Sequence, residues 1–188
     1  MMRKLLREWH WHRHRKKLIE IQLLVLDVDG VLTDGGLLLT PDGELQKRFN
    51  ARDGLGLRLL QQTGLTLAFL SGGQGRAVEQ RAQQLGIQHC LIGVNNKPPA
   101  LMALQEQLQV SVEQTCFVGD DLNDLAVRNH VGLLLTPCDG CRPMRLQADA
   151  VLCQRGGHGA VRELAERILQ ARGHWAALQR HGWRDRKD

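Results

Sequence analysis

Six short apolar runs recur along the chain, each bounded by Gly, Ser or Asp, and segments with helical spacing separate them. A short apolar run between turn residues is typical of a strand buried on both faces of a parallel sheet. Strands that alternate with helices indicate an α/β fold with a mostly parallel sheet. The predicted strands cover residues 21–27, 65–70, 89–94, 115–120, 131–136 and 148–153. The predicted helices cover residues 54–62, 75–85, 98–108, 122–129 and 160–171.

The segment after the first strand departs from this alternation. Residues 35–50 read GGLLLTPDGELQKRFN, in which two β-capable runs flank the turn signal Pro41, Asp42 and Gly43. Pro presets the φ angle of a turn and Gly tolerates a positive φ, so this pattern is typical of a hairpin. We predict a β-hairpin insertion directly after the first strand.

Composition places the chain among ordinary globular domains. Its 188 residues are 43% hydrophobic and 24% charged, values that exclude intrinsic disorder and fibrous repeats. The apolar runs are far shorter than the ~20 residues that span a bilayer, and no apolar signal segment follows the basic N-terminus. Five cysteines, an odd number, fit reduced thiols better than a disulfide framework. We expect a cytoplasmic protein that binds no membrane.

The excess positive charge belongs to the two ends of the chain. The formal net charge is +5, with +5 in residues 1–20, +3 in residues 171–188 and −3 in residues 21–170. No basic stripe crosses the centre, so we expect no nucleic acid partner. We predict a basic N-terminal tail over residues 1–20, one globular domain over 21–171 and a C-terminal tail over 172–188.

Residues that follow the apolar runs are the candidates for chemistry, because ligands bind beyond the carboxyl ends of parallel strands. Asp27 and Asp29 are two apart after the first run, so both carboxylates can face one pocket. Ser71 follows the second run at the start of a helix, where a hydroxyl and backbone N–H groups can hold a phosphate. Lys97 opens a helix, where an ammonium is unfavourable unless an anion lies nearby.

A second acidic group follows the fourth apolar run. The sequence GDDLND places Asp120, Asp121 and Asp124 close together beyond that run. Three carboxylates in so small a space repel one another unless a cation lies between them. Carboxylate oxygens suit a hard divalent cation. We therefore predict a Mg²⁺ site.

The order of these segments resembles the motif set of the haloacid dehalogenase superfamily of phosphotransferases. The segments are DVDGVLTD after the first strand, Ser71 after the second, Lys97 at a helix start and GDDLND after the fourth. The resemblance extends over residues 21–170. It implies a three-layer, doubly wound, haloacid dehalogenase-like Rossmannoid fold. Only the hairpin follows the first motif and little separates Ser71 from Lys97, so no cap domain is expected.

The same resemblance implies transfer of a phosphoryl group in two steps. Asp27 would attack phosphorus to form an aspartyl-phosphate, and Asp29 would act as general acid and then general base. Ser71 and Lys97 would bind the phosphoryl oxygens. The implied Mg²⁺ ligands are Asp27, Asp120 and the backbone carbonyl of Asp29. Asp121 or Asp124 would support them. An acid at the position of Asp29 favours hydrolysis of phosphate esters.

A closer resemblance is to the 3-deoxy-D-manno-octulosonate 8-phosphate phosphatases. The matching segments are DVDGVLTDG at residues 27–35, FNARDGLG at 49–56, GDDLND at 119–124 and GGHGAVRE at 156–163. This resemblance implies Mg²⁺-dependent hydrolysis of that sugar-acid phosphate in lipopolysaccharide sugar biosynthesis. It also implies a homotetramer built by the hairpin. The implied substrate-binding residues are Asp29, Asn50, Ala51, Arg52, Asp53, Gly54, Arg58, Arg81 and Lys97.

One position departs from the family pattern. The family usually carries an arginine two residues after the hydroxyl residue of the second motif, whereas this chain has Gly73, and Arg76 is the nearest replacement. The phosphatases of nonulosonate 9-phosphates share the capless scaffold and most of the motifs, and they are the alternative among sugar-acid phosphatases. A phosphoprotein or nucleotide substrate is a further alternative, because an open site admits large molecules.

Two other patterns suggest binding functions of a different class. Cys138 and Cys141 have the spacing of half a zinc site, and residues 9–14, WHWHRH, could bind a transition metal or a polyanion. A lone CxxC lacks the second pair of ligands, and a basic end of this kind is typical of a disordered tail. A non-catalytic polyanion-binding protein acting through its basic tails is the alternative to an enzyme. The acidic centre disfavours it.

Overall fold

One parallel sheet with helices on both faces forms the framework. The computed structural model describes residues 2–183, with side chains from residue 11 onward. The strands are β1 (Leu23–Leu26), β2 (Leu38–Leu39), β3 (Leu45–Gln46), β4 (Thr66–Leu70), β5 (His89–Leu91), β6 (Thr115–Val118), β7 (Leu133–Thr136) and β8 (Ala150–Val151). The helices are α1 (Met2–Glu20), α2 (Ala51–Gln61), α3 (Arg76–Leu85), α4 (Lys97–Leu108), α5 (Leu122–Leu125), α6 (Arg142–Gln147), α7 (Ala160–Ala171) and α8 (Trp175–His181).

The main sheet contains all six predicted strands. Their order is β5, β4, β1, β6, β7, β8, and every neighbouring pair is parallel. Successive residues of a strand point to opposite faces, so β1 sends Leu24 and Leu26 into one core and Leu23 and Val25 into the other. A strand buried on both faces must be apolar throughout, which explains the uninterrupted runs in the sequence.

Helices on both faces of the sheet complete the three predicted layers. α1, α2, α3 and α7 pack into one core, with Leu57 and Val161 among its residues, and α4 and α6 pack into the other through Leu101 and Met144. The fourth predicted helix ends at Leu125, because the backbone then tightens into a 3₁₀ turn with hydrogen bonds three residues apart. The short helices α6 and α8 are not predicted from the sequence pattern.

The predicted hairpin is present as the antiparallel pair β2 and β3. Gly43 at its turn has a φ of +82°, a conformation that glycine adopts without steric cost. The side of the hairpin formed by Leu37, Leu38 and Leu39 is 62%, 63% and 74% exposed. Within the described part of the chain, the hairpin is the only insertion between β1 and α2, and α3 and β5 alone separate β4 from α4. The described residues therefore contain no cap domain.

The N-terminal segment is helical, so the prediction of a disordered tail is wrong. Trp11 and Leu18 of α1 are only 7% and 2% exposed and belong to the core shared with α7. The guanidinium of Arg167 lies 5.5 Å from the centroid of the Trp11 ring, and Nε of Arg172 donates to the carbonyl of Leu18 at 3.3 Å. The physical reason is that two apolar residues seven apart share one face of a helix, and α7 offers a surface that buries them.

The C-terminal segment also packs on the domain. Leu178 of α8 and Trp183 beyond it contact the first core while remaining partly exposed. Residues 184–188 of the predicted C-terminal tail lie outside the described residues. Across residues 2–183, no helix has the length and apolar content needed to cross a bilayer.

Candidate active site

Three adjacent strands bring the predicted catalytic residues to one edge of the sheet. β4, β1 and β6 lie side by side and parallel, so their carboxyl ends share this edge. Asp27 follows β1, Ser71 follows β4, and Asp120 lies just beyond β6. The fold therefore places side by side three residues that are far apart in the sequence.

Lys97 is a fully buried cation at this end of the sheet. It begins α4, and its Nζ lies 2.5 Å from Oδ1 of Asp124 and 3.1 Å from Oδ2 of Asp27. Its stem packs near Phe117, with Nζ 5.7 Å from the centroid of the ring. Burial acts to lower the pKa of Lys97, but Asp124 and Asp27 raise it by more, so the net shift is upward. Lys97 is therefore charged and lies between two carboxylates.

Asp124 organises the GDDLND loop. Its Oδ2 accepts the backbone N–H of Asp120 at 2.8 Å and that of Asp121 at 3.3 Å. Asp121 is exposed and caps α5, because its Oδ1 accepts the N–H of Leu122 at 2.7 Å. Of the two supporting carboxylates predicted from the sequence, Asp124 is the one that the fold brings to Asp27.

Three carboxylates lie close enough to share a cation. Oxygens of Asp27, Asp120 and Asp124 all lie within 4.8 Å of one another. Burial and then the charge of Asp124 raise the pKa of Asp27 to about 7. Burial, Asp124 and Asp27 together raise the pKa of Asp120 to about 7 as well. Ionised carboxylates are disfavoured here without a further positive charge, and an all-oxygen set suits a hard divalent cation, so these residues fit the predicted Mg²⁺ site.

Gly30 leaves the space that this cluster needs. Its φ is +77°, and a Cβ atom added to it would lie 2.0 Å from Oδ2 of Asp120. Any side chain at this position would displace the Asp120 carboxylate and would also strain the backbone. The glycine of the DVDG motif therefore has a direct role in the geometry of the carboxylate cluster.

Asp29 pairs with a lysine that the sequence analysis did not single out. Nζ of Lys47, the residue directly after β3, lies 2.5 Å from Oδ1 and 2.6 Å from Oδ2 of Asp29. A lysine in a hairpin has the pattern of a solvated residue, so no sequence signal marks this contact. The pair lies against the Ser71 loop, because a Cβ at Gly73 would be 2.8 Å from Oδ2 of Asp29. The backbone carbonyl of Asp29 as a Mg²⁺ ligand stays a prediction.

The N-terminus of α2 presents the first group of predicted substrate residues. Asn50 caps this helix by accepting the N–H of Arg52 at 2.8 Å, and its amide donates to the carbonyl of Gly157 at 3.2 Å. Ala51 and Arg52 are exposed. This helix terminus adjoins the loop after β1, because Gly157 itself donates its N–H to the carbonyl of Val31 at 2.9 Å.

Asp53 and Gly54, also predicted to bind substrate, are buried. The Asp53 carboxylate accepts the N–H of Arg162 at 2.7 Å and that of Gly159 at 3.3 Å. Burial raises the pKa of Asp53, although both hydrogen bonds act to lower it. A Cβ at Gly54 would lie 2.3 Å from the Arg81 guanidinium. In this structure Asp53 therefore holds the N-terminus of α7, and its side chain does not face solvent.

The other two predicted substrate arginines lie on the face between α2 and α3. Arg81 donates to the carbonyl of Asn50 at 3.2 Å, and its guanidinium lies 5.6 Å from the centroid of the Phe49 ring. Arg58 lies further along α2 and donates to the carbonyl of Gln84 at 3.0 Å. Arg81 thus supports the cap of α2, and the structure does not place Arg58 beside the carboxylate cluster.

Relatives with known names identify the family. No protein-family model matches the chain. The 3-deoxy-D-manno-octulosonate 8-phosphate phosphatase KdsC of Escherichia coli (strain K12) is 41% identical over 153 residues, which are 81% of each chain. The protein of the same name from Haemophilus influenzae is 39% identical over 158 residues, 84% of this chain and 88% of the relative. The chain belongs to the 3-deoxy-D-manno-octulosonate 8-phosphate phosphatase family.

Solved structures of octulosonate 8-phosphate phosphatases share this fold. The phosphatase of Moraxella catarrhalis, in complex with a magnesium ion, a phosphate ion and a KDO molecule, has a TM-score of 0.87 at 36% identity. That match covers 90% of this chain and 97% of the other. The cobalt-bound phosphatase of H. influenzae has a TM-score of 0.83 at 38% identity and covers 86% and 94% of the two chains. The resemblance read from the sequence motifs is therefore confirmed at the level of the family.

Proposed function

We propose that this protein hydrolyses 3-deoxy-D-manno-octulosonate 8-phosphate to the free sugar acid and phosphate, with Mg²⁺ as its cofactor. The observation that carries the proposal is the cluster of Asp27, Asp120 and Asp124, with oxygens within 4.8 Å, beside the buried Lys97. Relatives that bear this activity in their names are 41% identical to the chain. The M. catarrhalis structure holds a magnesium ion together with phosphate and KDO, which are the products of the proposed reaction.

Asp27 is the proposed nucleophile. Its Oδ1 accepts the N–H of Val28 at 2.7 Å and its Oδ2 faces Lys97, so the carboxylate is held in a fixed orientation. An oxygen of Asp27 forms a bond to phosphorus as the bond from phosphorus to the sugar oxygen breaks. Water then attacks the same phosphorus, the bond to Asp27 breaks, and phosphate leaves.

Asp29 is the proposed general acid and base. In the first step its proton moves to the sugar oxygen, which departs as a neutral alcohol. In the second step Asp29 takes a proton from the attacking water. The sum of the two steps consumes one water and restores both carboxyl groups.

Asp27, Asp120 and the carbonyl of Asp29 would hold the Mg²⁺ ion, while Asp124 fixes the loop that carries Asp120. When bound, the ion offsets the charge of the phosphoryl oxygens and of the crowded carboxylates. Ser71 and Lys97 would bind the phosphoryl group. The Ser71 oxygen accepts the N–H of Gly73 at 3.2 Å, which leaves its hydroxyl proton to donate to a phosphoryl oxygen.

The sugar acid would lie toward the N-terminus of α2. The residues Asn50, Ala51 and Arg52 combine an exposed guanidinium with the positive end of a helix, a setting that favours an anionic group. Arg81 and the buried pair Asp53 and Gly54 would shape this helix end rather than contact the sugar acid. Arg58, Asp29 and Lys97 are the remaining residues that the sequence predicts to bind the substrate.

A homotetramer built through the hairpin is part of the proposal. Leu37, Leu38 and Leu39 form an apolar strip that is exposed in the single chain. Contiguous exposed apolar residues are typical of surfaces that contact another protein.

A cytoplasmic location also belongs to the proposal, because the substrate is a biosynthetic sugar-acid phosphate. Residues 21–171 would be the catalytic domain, and the described residues Trp11 and Leu18 before it and Leu178 and Trp183 after it pack on its core.

Phosphate release from a panel of esters tests the function. The panel contains the octulosonate 8-phosphate, a nonulosonate 9-phosphate, a nucleotide and a phosphopeptide, each with Mg²⁺ and with a chelator. We expect Mg²⁺-dependent release that is fastest from the octulosonate ester. Preference for the nonulosonate ester would assign the chain to the nonulosonate 9-phosphate phosphatases, the alternative that the departure at Gly73 leaves open. An absence of release from every ester would contradict a phosphatase function.

A further inference from the structure

The β2–β3 hairpin delivers one lysine to a catalytic carboxylate. The Lys47 side chain is 1% exposed, and its Nζ lies 2.5 Å and 2.6 Å from the two carboxylate oxygens of Asp29. The next residue of the hairpin, Arg48, has a side chain that is 70% exposed and pairs with Asp34. Lysine is almost never fully buried without a partner, so the position of Lys47 depends on Asp29.

The pair of Asp29 and Lys47 lies against the loop that carries Ser71. A Cβ at Gly73 would be 2.8 Å from Oδ2 of Asp29, 3.4 Å from Nζ of Lys47 and 3.6 Å from Oγ of Ser71. Because Gly73 has no side chain, the lysine can approach both the carboxylate and the loop that carries Ser71. A single ammonium that contacts both oxygens of a carboxylate fixes the direction in which that group points.

We propose that Lys47 is a positioning residue for the acid–base chemistry of Asp29. The inference rests on the proposed phosphatase function and adds a residue to it. Lys47 holds the carboxyl group at the side of the phosphoryl site from which the sugar oxygen departs. As the bond from phosphorus to the sugar oxygen breaks, the Asp29 proton moves to that oxygen, and the resulting carboxylate lies against the Lys47 ammonium. The proton that Asp29 later takes from water restores the starting state.

A comparison of two leaving groups separates this role from a structural one. A sugar-acid ester releases a basic alkoxide that requires a proton, whereas p-nitrophenyl phosphate releases a stable phenolate that does not. A general acid contributes about 10²–10⁴-fold to proton-requiring steps. We expect Lys47→Met to lower kcat for the sugar-acid ester at least about tenfold more than kcat for p-nitrophenyl phosphate. Lys47→Arg, which keeps the charge, should restore part of the difference.

Arg48→Met is the matched control. Arg48 also joins the hairpin to the loop after β1, through Asp34, but it touches no catalytic carboxylate. Its removal tests whether loosening the hairpin is enough to cause the effect. We expect the ratio of the two kcat values to be the same in Arg48→Met as in the wild type.

Several outcomes decide the proposal. Equal losses on both esters, or a higher KM with an unchanged kcat, would overturn it in favour of a structural or binding role. An altered ratio in Arg48→Met would also overturn it. Hydrolysis of p-nitrophenyl phosphate by Lys47→Met reports that the variant is folded, and if that variant does not fold, the ratio in Lys47→Arg decides instead. A wild-type protein that cleaves neither ester would contradict the proposed function itself, which is a separate result.

Discussion

Lys97 and Asp124 form an ion pair closed to solvent, with Nζ and Oδ1 2.5 Å apart and neither side chain exposed. The same ammonium lies 3.1 Å from Asp27, so one cation serves a structural carboxylate and the proposed nucleophile. A charge buried in this way is stable only while its partners remain. The chemistry of the site and the stability of the domain therefore depend on the same lysine.

Substitution of Lys97 by Met should lower both activity and stability. It leaves Asp27 and Asp124 without their cation in a buried position, at a cost of about 3–5 kcal/mol. We expect the free energy of unfolding, measured by urea titration, to fall by that amount. Lys16→Met is the control, because Lys16 is 84% exposed and pairs with Glu20 at 3.8 Å on the surface of α1. Equal free energies of unfolding for Lys97→Met and Lys16→Met would contradict the burial of Lys97 between Asp27 and Asp124.

Binding of Mg²⁺ should weaken as the pH falls below about 7. Burial and mutual repulsion raise the pKa of Asp27 and of Asp120 to about 7, so protons compete with the metal in that range. Because both values lie above the unfolded value of 3.8, the metal-free domain binds more protons than the unfolded chain, and its stability falls as the pH rises from about 4 to about 7.

Thermal unfolding at two pH values measures this coupling. We expect Mg²⁺ to raise Tm more at pH 8 than at pH 5.5, and Asp120→Asn to remove most of the increase. An equal rise at both pH values would mean that the metal does not bind to these carboxylates.

Substitution of Asp53 by Asn should affect stability more than catalysis. The Asp53 carboxylate accepts two N–H groups at the N-terminus of α7, where a negative charge is favourable. We expect a loss of about 1–2 kcal/mol in the free energy of unfolding and less than a twofold change in KM. Glu166→Gln is a milder control on the same helix, because Glu166 pairs with Arg162 near the surface. A large rise in KM with unchanged stability would instead support the substrate role predicted from the sequence.

Substitution of Leu38 by Glu should dissociate the proposed tetramer. A charge in the exposed leucine strip of the hairpin cannot be buried at an interface without a large desolvation cost. Analytical ultracentrifugation should show smaller species for Leu38→Glu than for the wild type. Leu146→Glu, at a residue that is 72% exposed on α6, should leave the assembly unchanged. A wild-type protein that sediments as a monomer would contradict the tetramer.

Much of the fold is predictable from the sequence, because strands buried on both faces must be apolar throughout. The run at Leu23–Leu26 needs no long-range information to be recognised, since burial in a parallel sheet excludes polar residues. The sequence pattern of α1 predicts its packing less clearly, because its charged residues outnumber the buried apolar residues Trp11 and Leu18. Only the surface of α7, distant in sequence, makes those two residues a packing face. Helices of this kind depend on tertiary contacts more than on local propensity.

The carboxylates of the proposed site are more predictable than their partners. Asp27, Asp120 and Asp124 occur in short motifs that directly follow strands, so the strand prediction alone brings them together. Lys47 lies in a hairpin whose position over the sheet is a tertiary property, and no local pattern separates it from Arg48. The buried Asp53 is a motif residue whose carboxylate holds the N-terminus of α7, a contact that no local pattern predicts.

Phosphate release from 3-deoxy-D-manno-octulosonate 8-phosphate by Asp27→Asn, measured beside the wild type with Mg²⁺ present, tests the central claim most directly. The amide keeps the shape of the side chain but removes the nucleophile and a metal ligand. We predict a loss on the order of 10⁴-fold or more. Without Mg²⁺, Tm should be no lower than in the wild type, because one of the crowded carboxylates is gone. Release at a rate comparable to the wild type would show that Asp27 does not attack phosphorus, and would contradict the aspartyl-phosphate mechanism.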